Sequence, residues 1–269
     1  MVFISRKGKG AGKGKRSARK SKRAPATKQA TVALIKQVVA REDETKFASE
    51  LIMTQTNFNS AVTNADATRV LPKIVQDQGS GVTWERVGSK ISVRKLTIHF
   101  DASLTDVTRS TAIVVKYWIL THKEARHYNA FSSVLNMAQL LKTGTTTELQ
   151  GFNGLPQDAM LPVNKAKFNV LKTGEFNLGK NFGTVQDSTT AGNQPMYGNH
   201  LYKKWSVDLK CPKVLTYEQD SNSPRTVYFP SGYAPFVVFG YYHQNQTAPD
   251  AVNADLTVTM RSSLYYDDA

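Results

Sequence analysis

The chain has 269 residues, with 35 Lys and Arg against 21 Asp and Glu, for a formal charge of +14. That length suits one large all-β domain or two small ones and can bury a sizeable core. The single cysteine, Cys211, excludes an intrachain disulfide framework and fits a reducing compartment.

The charge sits mainly at the start. Residues 1–28 hold eleven basic side chains and no acidic one, leaving 24 against 21, or +3, for residues 29–269. Arg6, Lys7, Lys9, Lys13, Lys15, Arg16, Arg19, Lys20, Lys22 and Arg23 alternate with Gly8, Gly10, Gly12 and Gly14 and almost no apolar residue. Such a segment cannot bury enough surface to offset the entropy of ordering, so a disordered arm is expected. These ten cations are the expected nucleic-acid-binding residues; they would gain affinity by counterion release but read no bases. Lys15-Arg16 and Lys20-Ser21-Lys22-Arg23 also suit a nuclear-import signal. A solubilising or membrane-surface tail is the alternative, and the missing amphipathic face weighs against the membrane. The spacing of a phosphate-binding loop is absent. The short apolar start does not read as a secretory signal. The apolar run 112–120 is interrupted by Lys116, and no stretch nears the roughly 18 residues of a membrane span. The chain reads as soluble.

Past Pro25, residues 30–42 place Val32, Ile35 and Val39 at helical spacing and predict a short helix, with an edge strand as the alternative. Residues 47–58 predict a first strand, inside a linker spanning 29–60. A single body is expected over 61–269. Within it, residues 90–104 alternate with a phase slip between Val93 and Leu96, which predicts a β-bulge. Residues 111–121 are β-branched and aromatic, hence strand. Residues 130–142 present one apolar helical face and predict an inserted helix. Residues 166–172 and 175–178 predict a hairpin around Thr173-Gly174, and 179–200 a long loop. Residues 202–217 predict a strand broken at Pro212, followed by strands at 226–229, 236–244 and 254–266. Eight strands from residue 90, with one helix and no fixed repeat, predict an antiparallel sandwich of jelly-roll type.

Catalytic and metal patterns are sparse. His99, His122, His127, His200 and His243 show no ligand spacing and read as loop or sheet-surface residues. Asp101 with Asp106, or Asp267 with Asp268, would suit a structural divalent cation, against solvated turns and a solvated terminus; no other cofactor is expected. Asp250 and Asp255 bracket a further expected turn. The nucleophile-elbow motif is missing, and no enzyme is predicted. Tyr117-Trp118 and the aromatic run 236–242 read as core or subunit contact, with base stacking the alternative.

In order, the Lys/Arg-rich start, ALIKQVVAREDETKF, GSKISVRKLTIHF, TAIVVKYWILTH, VNKAKFNVLKTGEFNLG, KKWSVDLKCPKVLTYE and LTVTMRSSLYYDD resemble the capsid proteins of small circular Rep-encoding single-stranded DNA viruses. The resemblance implies one jelly roll whose copies close an icosahedral shell, sixty or a multiple. It implies an arm, Arg6 to Arg23, on the genome and in nuclear import, and loops 123–130, 143–165 and 179–200 on exterior and interface. The implied partners are genomic nucleic acid, further copies of the chain, a host import receptor and a host cell receptor, with no membrane insertion. The implied location is the virion and, during assembly, the host nucleus. Capsid proteins of small RNA or satellite viruses share the plan. A cellular nucleic-acid-binding protein with a basic tail is the other reading, which the nearly neutral body disfavours.

Overall fold

The computed structural model describes residues 45–77, 85–105, 112–144, 149–179, 201–218, 227–243 and 254–268. The chain divides into two units, 1–43 and 44–269, and all described residues belong to the second. The basic arm, the helix expected over 30–42 and nearly all of the loop expected over 179–200 lie outside the described residues.

The elements are β1 (Lys46–Phe58), β2 (Thr68–Arg69), β3 (Lys90–Leu104), β4 (Ile113–His122), α1 (Phe131–Val134), β5 (Leu141–Lys142), β6 (Leu149–Gln150), α2 (Pro156–Met160), β7 (Phe168–Leu178), β8 (Tyr202–Leu209), β9 (Val214–Thr216), β10 (Pro235–His243) and β11 (Leu256–Asp268). The body is all-β. One antiparallel sheet runs β1-β11-β3-β8, with β9 also on β3, and a second runs β2-β10-β4-β7; β5 and β6 form a small ribbon. The long pairings nest: β1 with β11, β2 with β10, β3 with β8, β4 with β7.

Side-chain period explains which face each sheet buries. Along β11, Leu256, Val258, Met260 and Leu264 are buried, while Arg261 and Tyr265 are exposed. The phase slip in β3 is a bulge: Lys95 pairs with Tyr265 but Val93 with Tyr266, leaving Arg94 as the extra residue. The sheets face each other across a core of Leu96, Ile98 and Phe100 against Val115, Val237 and Phe239. Phe100 of β3 meets Phe239 of β10 edge-on, with ring centroids 5.7 Å apart. Trp205 of β8 stacks on Phe100 at 4.9 Å and packs against Phe176 of β7 at the same distance. A second core lies on the other face of the β2-β10-β4-β7 sheet. There Leu135, Met137, Leu140, Leu141 and Phe152 cover Trp118, Leu120, Phe236 and Val238. This sheet is buried on both sides, which is why β4 and β10 read as nearly unbroken apolar runs.

Several expectations change. β1 was expected in a linker but pairs with β11 along its length. The helix expected over 130–142 is broken into α1, a 3-10 turn at 137–139 and β5. Asn136 accepts from the Ala138 N–H through its side chain, and Asn64 accepts from the Met137 N–H, so side chains replace the helical ladder. The apolar spacing there serves an irregular lid, and a second short helix, α2, follows it. The expected hairpin is one continuous strand, β7, in which Gly174 pairs with Tyr117. A Cβ on Gly174 would lie 2.5 Å from the Tyr117 ring, so the glycine answers a close approach and not a turn. Residues 227–229 are not a strand: Phe229 packs on Tyr128 at 4.9 Å, beneath the Arg69 guanidinium at 5.0 Å. From residue 90 the described residues hold nine strands rather than eight, two of them the short β5 and β6, and the break at Pro212 separates β8 from β9.

Candidate nucleic-acid interface

Arg6, Lys7, Lys9, Lys13, Lys15, Arg16, Arg19, Lys20, Lys22 and Arg23 all lie outside the described residues. The body offers other polar groups, and most are engaged in holding the fold. At the start of β1, Thr45 donates to Asp267 Oδ1 at 3.0 Å and Lys46 Nζ pairs with Asp268 Oδ2 at 2.5 Å. Arg94 Nε pairs with the other Asp267 oxygen, and the Val87 N–H donates to Asp268 at 3.1 Å. The bulge aims Arg94 at this cluster. Asp267 and Asp268 are therefore engaged by protein cations and donors, and the burial of Asp267 corrects the solvated-terminus expectation. Asp101 lies 3.3 Å from Lys204; Asp106 lies outside the described residues. Among the described residues no group of three or more His, Cys, Asp or Glu side chains could hold a metal.

Two histidines depart from the surface reading. His122 is buried; its Nδ1 accepts from the Glu124 and Ala125 N–H groups at 3.2 and 3.0 Å, shaping the turn after β4. Burial lowers its pKa against the opposing pull of Glu124. His243 is buried with its Nε2 3.7 Å from Asp255 Oδ2. Asp255 is itself buried, its N–H donating to the Tyr241 hydroxyl at 3.1 Å, so it does not serve the solvated turn expected of it. Burial pushes the Cys211 thiol up to about 11, which makes it a poor nucleophile at neutral pH. Tyr117 and Trp118 are core residues, facing the first and second cores respectively.

One sheet face is not covered by any described element. The β2-β10-β4-β7 sheet is roofed by residues within 131–144 and 149–163, whereas the outer side of β1-β11-β3-β8 carries residues that are exposed or half-buried, apart from the buried Thr97 and Ser263. Register sets them in rungs. The first is Phe47, Tyr265 and Lys95; the next Ser49, Ser263, Thr97 and Asp208. Then come Leu51, Arg261, His99 and Ser206, followed by Thr259, Asp101 and Lys204. The last is Asn57, Thr257, Ser103 and Tyr202. The Phe47 and Tyr265 rings lie 4.8 Å apart and stay 44% and 41% exposed. A cavity of about 550 Å³ opens on this face among Leu51, His99, Asp101, Lys204, Trp205 and Arg261. A second, of about 370 Å³, lies beside Phe47, Ser49, Glu50 and Lys73. Lys95 pairs with Asp208 at 3.0 Å, whereas no described carboxylate pairs with Arg261. Sequence reading missed this face because it is assembled from four strands far apart in the chain. The exposed half of the alternation in β11 was the one available signal.

Comparison of the sequence with models of known protein families and with curated proteins returns no match.

Proposed function

We propose that this chain is the capsid protein of a small single-stranded DNA virus of the circular Rep-encoding kind. It folds as a jelly roll, assembles into an icosahedral shell and packages the genome through its basic arm. The observation that carries the reading is the nested strand pairing behind a strongly basic start. Taken in chain order, β1, β2, β3, β4, β7, β8, β10 and β11 become strands one to eight. The sheets then run 1-8-3-6 and 2-7-4-5. That order arises when a long antiparallel hairpin, pairing one with eight down to four with five, rolls around a common core. The fold alone hosts lectins and enzymes as well as capsids. The arm favours the capsid: residues 1–28 carry eleven cations on an otherwise nearly neutral chain, a division suited to a shell wall with an inward polyanion tether. The role is structural, in the virion and in the nucleus during assembly, with Arg6 to Arg23 also read by an import receptor.

Size-exclusion chromatography with light scattering and absorbance at 260 and 280 nm, at moderate and high salt, tests this. A megadalton species carrying nuclease-protected DNA is expected. A monomer that stays a monomer at every salt concentration, with single-stranded DNA added, refutes it. Protected RNA would move the reading to an RNA or satellite virus.

A further inference from the structure

We infer that the outer face of the β1-β11-β3-β8 sheet is a second contact for single-stranded nucleic acid, in which a base stacks on the Phe47–Tyr265 pair and a phosphate rests on Arg261 with Lys204. This rests on the packaging reading above and adds to the arm a folded surface that grips bases as well as phosphates.

The arrangement of the rungs supports it. Phe47 and Tyr265 form an exposed aromatic platform at one end of the face, and Tyr202, 66% exposed, stands at the other. Between them lie the hydroxyl of Ser49, then Arg261 and His99, then Thr259 and Lys204. Arg261 is four residues from Tyr265 along β11, about 13 Å, and Thr257, in the Tyr202 rung, is about as far again. Aromatic, cation and aromatic thus follow one another along a largely polar strip. Such a strip suits an extended strand, because stacking tolerates any base and the cations follow the backbone. Other nucleic-acid-binding sheets present aromatics in the same way to unstacked bases.

Charge argues for the single strand over the duplex. Asp101 and Asp208 offset Lys204 and Lys95 on this face, so its net potential is too weak to hold a polyanion by charge alone. The Lys204–Asp101 pair is solvent-exposed, and such pairs are weak enough for Lys204 to turn to a phosphate. The remaining affinity has to come from stacking, which a duplex cannot offer because its base faces are already covered. The cavity of about 550 Å³ beside Arg261 has room for a splayed base.

The test uses the full chain with fluorescein-labelled oligodeoxyuridylate and, separately, oligouridylate, which share a base, read by anisotropy across a salt series. Tyr265→Ala should weaken binding about tenfold, the loss of one stacked base, and Tyr265→Phe should restore it. Arg261→Ala should reduce the salt slope by about 0.7, one phosphate contact, and Arg261→Lys should restore it. Ultraviolet cross-linking of the bound oligonucleotide should leave adducts on peptides containing Phe47, Tyr202 or Tyr265. A preference for one oligonucleotide over the other assigns the sugar. Adducts confined to residues 1–28, with both alanine variants binding like the parent, overturn this contact and leave the packaging reading standing. Failure of the full chain to bind either oligonucleotide overturns both. Should Tyr265→Ala prove misfolded by circular dichroism, Arg261→Ala and the adduct map decide.

Discussion

Glu50→Gln should separate the two sheets at their open corner, and its effect should depend on pH. Glu50 stands on β1 of one sheet, Arg69 on β2 of the other. The guanidinium grips the carboxylate with both terminal nitrogens, at 2.8 and 2.5 Å, and the Lys73 N–H donates to the same group at 2.8 Å. Burial alone would raise the Glu50 pKa. The Arg69 hydrogen bonds, the Lys73 N–H and the two positive charges outweigh it and hold the carboxyl below its ordinary value of 4.5. A charge-assisted hydrogen bond contributes about 1.5–3 kcal/mol when buried, and an exposed ion pair about 0–1 kcal/mol. The Arg69 and Glu50 side chains are 20% and 26% exposed, which puts the loss between these limits, about 2 kcal/mol. For a body of this size that is a fall in Tm of about 4–8 °C. A carboxyl with a depressed folded pKa stabilises above its unfolded pKa, and that stability disappears as pH falls through the folded value. The parent and Glu50→Gln melting curves should therefore differ near neutral pH and converge well below pH 4.5. Calorimetry on both proteins in the same assembly state is the assay, since assembly itself would shift Tm. Equal Tm values near pH 7, or a gap that persists undiminished in acid, would refute the reasoning.

Three further outcomes follow from the same structure. Gly240→Ala would place a Cβ 2.6 Å from the buried Phe152 ring, costing about 1–3 kcal/mol, and limited proteolysis should cut sooner within 149–164 as the lid lifts. Arg86 is fully buried, stacked 4.4 Å over Tyr217 and donating to the Gly88 and Val227 carbonyls. Arg86→Ala should cost about 2–5 kcal/mol in urea unfolding and Arg86→Met clearly less, because methionine fills the volume that alanine leaves empty. Deleting residues 1–28 should sharply lower the 260/280 nm ratio of purified protein while its circular dichroism stays that of the β body; an unchanged ratio would remove the arm from its assigned role.

What the sequence revealed followed from how local each cause was. The Arg94 bulge was legible because a phase slip is written in the strand itself, between Val93 and Leu96. The break at Pro212 was legible because proline cannot donate to a ladder. Thr173-Gly174 misled because a glycine that makes room for a neighbour looks the same as one that makes a turn, and Tyr117 is 57 residues earlier. Residues 130–142 misled for a related reason. Phe131, Val134, Leu135, Ala138 and Leu141 share a helical spacing, yet Asn64 and Asn136 satisfy the backbone in another shape.

The lid has a further consequence for function. By covering the β2-β10-β4-β7 sheet on its outer side, residues 131–144 and 149–163 leave one sheet face open among the described residues. The residues spaced along that face are hydroxyls, charged groups of both signs, Leu51 and three exposed aromatics, so its apolar members are set among polar ones rather than joined in the broad patch a stable subunit contact requires. Shell contacts in the proposed capsid therefore fall to strand edges, loops and short helices, where Val87 before β3 is 62% and Met160 at the end of α2 is 87% exposed. The open face is left for a polar, stackable ligand. On this reading the inserted lid and the bare sheet are complementary: the first turns one sheet into a wall, and the second keeps its partner free for the packaged strand.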